Sequence, residues 1–167
     1  MQSSVRNLLI ILCLSLIAVN SDASRRIILL ESIQESARRN LSMYAGKLKA
    51  TVKRNHRYPR ARRKGKSYFH ERYLKKNCVF VLAEKVLVEG EIEVSPYTEQ
   101  TVFSRANLGE EVGIVLREFD DFDPPIIVDQ TSNWIELKIM QDQNGEWWPR
   151  SMYPGLPSGF DPKKCWD

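Results

Sequence analysis

Histidine and cysteine are scarce in this chain, at two and three among 167 residues. His56 and His70 form no metal-ligand spacing with a cysteine, so no zinc site is expected. The G-x-S-x-G turn, the H-E-x-x-H helix, a paired Cys/His constellation and a phosphate-cradling glycine loop are all missing. Carboxylates are plentiful, yet nothing marks any pair as tuned for acid–base work. The expectation is a non-enzymatic protein without cofactor or metal. Long apolar runs are missing too. The longest, Leu8 to Val19, has about 12 residues, short of the ~20 that a spanning helix needs.

That run is nevertheless informative. Arg6 precedes it, and Ser21-Asp22-Ala23 follows with small residues at a cleavage position. Residues 1–23 therefore read as a secretory signal peptide, and the protein as secreted and extracellular. Cys13 would leave with the signal. Cys78 and Cys165 remain, and in an oxidising route they are expected to pair. Such a bond closes a loop of 87 residues, for which the chain-entropy model gives roughly 4 kcal/mol. Asn40-Leu41-Ser42 is an N-glycosylation sequon.

Charge is divided along the chain. Residues 24–76 hold 17 Lys/Arg against 3 Asp/Glu, and residues 77–167 hold 7 against 17. A +14 arm thus precedes a −10 domain, and asymmetry of this kind concerns interaction surfaces. In the arm, Leu30, Ile33, Ala37, Leu41, Tyr44, Leu48 and Val52 recur at helical spacing, which predicts a basic amphipathic helix over 24–54. Its stripe is either a packing face or a membrane-surface face.

Residues 55–76 read as an exposed basic linker, because Pro59, Gly65 and dense charge oppose helix and packing. Three roles compete there. Arg60, Arg62 and Arg63 form an R-x-R-R pattern that resembles a furin-like convertase site, with cleavage after Arg63. Alternatively, Lys53, Arg54, Arg57, Arg60, Arg62, Arg63, Lys64 and Lys66 bind a polyanion. Outside the cell that partner is heparan sulfate rather than nucleic acid. The third role is a solvated linker. The two histidines are expected to be exposed loop residues.

Residues 77–167 read as an acidic β-domain. Strands are expected at Cys78 to Leu82, Val86 to Val88, Ile92 to Val94, Thr101 to Phe103, Val112 to Phe119, Pro125 to Val128 and Trp134 to Met140. Asn144-Gly145 turns the chain into a return strand at Trp147 and Trp148. The predicted class is mainly β, an antiparallel small barrel or sandwich preceded by the helix. Asp120, Asp121 and Asp123 lack the glycine and spacing of a calcium loop and read as a solvated turn.

Gly109 to Val115, Ser132 to Leu137 and Asn144 to Ser151 carry an acidic turn, a Trp-led strand and a Gly hairpin followed by proline. Together they resemble a Src-homology-3-type barrel over about Tyr97 to Tyr153, of which the melanoma-inhibitory-activity family is a secreted example. The resemblance implies groove residues Trp134, Pro149 and Tyr153. Trp147 replaces the usual small residue and Met152 stands at the groove tyrosine position, so polyproline binding is not expected. Strand alternation sends Trp147 and Trp148 to opposite faces. Trp134, Trp147, Trp148, Pro149 and Tyr153 are therefore the interface candidates.

The first functional expectation is a precursor whose β-domain meets a receptor or matrix partner after cleavage near Arg63. The second is an unprocessed protein that binds membrane surfaces or heparan sulfate through its basic arm.

Overall fold

Helix α1 spans Gln2–Asn55 in the computed structural model, which describes residues 2–75, 77–157 and 159–161, with side chains from residue 29 onward. The chain forms two units. Met1–Glu35, the first, is the N-terminal part of α1 and contains the expected signal segment. Among the described residues, no helix is long and apolar enough to cross a membrane.

The second unit, Ser36–Asp167, holds everything else. Here the apolar stripe of α1 is a core face: Ala37, Leu41, Leu48 and Val52 are buried, while Arg38, Arg39, Lys47 and Lys53 are exposed. Burying each large stripe residue contributes on the order of 1.5–3 kcal/mol. The helix follows strand β7 (Trp147–Gly155) in the same direction. Ser36 and Asn40 meet Trp147, Tyr44 meets Trp148 and Arg150, and His56 meets Ser151 and Tyr153.

Of the expected linker 55–76, residues 55–75 are folded rather than an exposed linker. The chain winds through a turn and a short 3-10 segment at Arg62–Lys64, then adds strand β1 (Tyr68–Phe69) to a sheet. A second 3-10 turn covers Glu71–Leu74. Ala61, Phe69, Tyr73 and Leu74 are buried. Sparse apolar residues between many charges are enough to anchor this segment.

The strands expected at Cys78 to Leu82 and Val86 to Val88 are instead one helix, α2 (Cys78–Glu89). The buried positions explain why. Val79, Leu82, Ala83, Val86 and Leu87 lie three and four apart, and β-branched composition had masked that period. Gly90 ends the helix where a Cβ would sit 2.3 Å from the Val86 carbonyl and 2.4 Å from Ser104 Oγ. Only glycine leaves room for this close approach.

The remaining strands are β2 (Glu91–Val94), β3 (Thr101–Asn107), β4 (Gly113–Phe119), β5 (Ile126–Ser132) and β6 (Trp134–Gln141). They form two antiparallel sheets, ordered β1-β4-β5 and β2-β3-β6-β7. The protein is thus a mixed α and β fold, and its sheets do not close into a barrel. One face of the four-stranded sheet presents Val102, Ser104, Ile135, Leu137, Ile139 and Met152 to the core, with Ser104 Oγ donating to Val86 O of α2 at 2.8 Å. Val115, Ile126, Val128 and Leu156 form another cluster with Phe119, Phe122 and Phe160.

Candidate functional site

The basic segment acquires a definite shape. Ala61 N–H donates to Arg57 O, Arg63 N–H to Pro59 O, and Lys64 and Lys66 N–H to Ala61 O. Successive turns of this kind place Arg60, Arg63 and Lys64 on one side, as residues three and four apart share a helical face. Ala61 points inward and is fully buried. Lys53, Arg54, Arg57, Arg60, Arg62, Arg63, Lys64 and Lys66 are all exposed. Arg57 pairs with Glu71 and Arg62 with Asp129, both at 3.0 Å. Among the described residues, the other six meet no carboxylate. Lys53 and Arg54 also occupy the last turn of α1, where the helix dipole favours positive charge.

This geometry bears on the convertase pattern. The expected convertase loop is instead wound, with Arg60, Arg62 and Arg63 in a turn around a buried alanine. Carboxylates do meet the arm, at Asp129, Glu110 and Glu111, through Arg62, Arg72 and His70.

Asn40 is a clasp. It is 5% exposed, and Nδ2, the atom a glycan would occupy, donates to Trp147 O at 3.0 Å and Glu146 Oε2 at 3.3 Å. Ser36 Oγ donates to the same carboxylate at 2.8 Å and accepts from Trp147 N–H at 3.0 Å. An attached sugar does not fit this arrangement. The interface candidates are covered as well. Trp147 and Pro149 are buried, while Trp134, Trp148 and Tyr153 are half-buried. Trp148 stacks edge-on with Tyr44 and donates Nε1–H to Asp142 at 3.0 Å. Alternation does separate the two tryptophans, but α1 and the hairpin cover the outer one. Cys78 opens α2 and is half-buried, whereas Cys165 and the expected disulfide lie outside the described residues.

The second feature is a polar row of which only Tyr153 is expected from sequence to matter. Arg105, Glu136 and Tyr153 stand directly opposite one another across β3, β6 and β7, on the face away from α2. Arg105 Nε donates to Glu136 Oε2 at 2.6 Å, Tyr153 O–H donates to Glu136 Oε1, and Arg105 Nη1 also pairs with Glu93. Glu136 is only 3% exposed, and a buried carboxylate needs this degree of partnering. Burial, reinforced by the Glu136 charge, pushes the Tyr153 hydroxyl well above its ordinary range, so it remains a donor.

His56 closes the row from the end of α1. It is 8% exposed, not an exposed loop residue. Nδ1–H donates to Ser67 O at 2.8 Å, which leaves Nε2 as an acceptor facing Ser151 Oγ at 3.4 Å. Burial lowers its pKa, the Ser67 carbonyl opposes that shift, and the Lys66 charge adds to it. Above the row lies a cavity of about 420 Å³ bordered by His56, Lys66, Phe103, Leu116 and Arg117, with Tyr97 at its rim. The signal available in sequence was the polar set Arg105, Glu136 and Tyr153, one on each of three strands. It becomes visible only once strand pairing is known. No protein-family model, no curated protein and no solved structure matches this chain.

Proposed function

We propose that this is a secreted, non-enzymatic binding protein that holds sulfated polysaccharide of the heparan sulfate type through residues 53–66, without cleavage after Arg63. The observation that carries this reading is the set of six exposed cations without carboxylate partners, carried on a folded turn and a helix end. A folded scaffold presents charge already gathered, which lowers the ordering cost of binding an extended polyanion. The wound conformation of Arg60 to Lys64 favours the unprocessed protein over the precursor reading. The membrane-surface reading loses its apolar face between Ala37 and Val52, where the stripe serves as core. The Src-homology-3-type likeness supports no ligand groove here, since Pro149 is buried and Tyr153 is engaged with Glu136. A receptor or matrix protein would reach this protein through the polysaccharide it holds.

The test is retention on heparin by the full chain and by an Arg60→Ser/Arg63→Ser/Lys64→Ser variant. Each lost cation should reduce the slope of log affinity against log salt by roughly 0.7–0.9, taking nucleic-acid polyanions as the guide. The variant should therefore elute at clearly lower salt with an unchanged melting temperature. Equal elution of the two proteins would remove the turn from the site.

A further inference from the structure

The cavity above the polar row has an unbalanced charge. Its two carboxylates, Glu93 and Glu136, are both bonded to Arg105, and Glu136 also receives the Tyr153 hydroxyl. Lys66 and Arg117, both exposed, add two cations at the opening, and among the described residues neither meets a carboxylate. An entering ligand thus meets surplus positive charge. Walls focus such charge by limiting the water that screens it.

Part of the remaining lining is apolar. Phe103 and Leu116 border the space, and Tyr97 stands at the rim with 93% of its surface exposed. A tyrosine so open to solvent, beside a concave site, offers a stacking platform. About 420 Å³ falls within the range of small-molecule sites, which combine apolar walls with a few convergent polar groups. Metal chemistry is not indicated. Among the described residues, no group of three His, Cys, Asp or Glu could hold an ion, and no buried side-chain polar atom lacks a partner. The Arg105–Glu136–Tyr153 row is complete in itself and acts as a floor.

We propose that this cavity binds a small organic anion. Its carboxylate or sulfate meets Lys66 and Arg117, and its planar apolar body lies against Phe103 and Tyr97. The site shares Lys66 with the segment proposed to hold polysaccharide, but Arg60, Arg63 and Lys64 do not line it. The site stands whether or not that segment holds polysaccharide.

The probe is naphthalene-2-sulfonate, titrated into the full chain and followed by NMR. Naphthalene-2-carboxylate is the second anion, and 2-naphthylmethylammonium is the cationic control. Saturable shifts are expected at Phe103, Tyr97 and His56 with either anion, and weaker binding with the cation. A Lys66→Ser/Arg117→Ser variant should bind at least roughly tenfold more weakly, since charge-assisted contacts are lost. Arg117→Gln alone, a change at the tip of an exposed side chain, should show a smaller loss of the same sign and guards against misfolding of the double variant. The Arg60/Arg63/Lys64 variant should bind the probe normally. Equal binding of the cation, undiminished binding by both Lys66 and Arg117 variants, or no saturable shift would overturn the proposal.

Discussion

His56 shows how one residue can link stability to pH. Its neighbours are the Ser67 carbonyl, the Ser151 hydroxyl, the Tyr153 ring and the Lys66 charge. Burial, the largest effect, holds its pKa below the ordinary 6.5. The unfolded chain then binds a proton more readily than the folded one. Stability is therefore full above about pH 6.5 and falls as pH drops from there toward the lowered folded value, by at most about 1.4 kcal/mol per pH unit. Chemical denaturation at pH 7.5 and pH 5 should show this loss in the wild type, with a smaller one in His56→Gln. An identical pH dependence in both proteins would mean that His56 does not titrate between the two states.

At the scale of elements, α1 and the β6–β7 hairpin are joined by few but specific polar contacts. Asn40 holds both Glu146 and the Trp147 carbonyl. Asn40→Ala leaves that buried carbonyl without its side-chain donor and should cost about 1–3 kcal/mol. Ser42→Ala also removes the sequon but changes only an exposed hydroxyl bonded to Arg39 O, so it should be close to neutral. Thermal melts of the two variants check this, and equal stabilities would deny the clasp. The same elements show what was legible beforehand. The α1 stripe, β3, β4, β6 and the Asn144-Gly145 hairpin follow from periodicity and turn chemistry. For α2, valine-rich composition pointed to strands, while the burial of Val79, Leu82, Ala83, Val86 and Leu87 by tertiary packing decided for helix. Strand β1 is only two residues long and depends on β4, so no local pattern announces it. The basic cations were legible one by one. Their gathering on a turn around Ala61, and the cross-strand row at Glu136, depend on long-range pairing.

Over the whole molecule, the basic and acidic stretches are not separate modules. From Ser36 onward they share one unit, in which β1 and β4 belong to the same sheet. Cleavage at the Arg63–Lys64 bond would cut between α1 and β1 and divide the cationic surface. We propose that the intact chain is the polysaccharide-binding form. The most direct test is the intact mass of the fraction retained on heparin from medium of eukaryotic cells secreting the protein. A retained species that spans Arg63 and Lys64, with no accompanying 64–167 fragment, is the result predicted. A secreted pool dominated by a species beginning at Lys64, or an intact species that passes through heparin unretained, would contradict it.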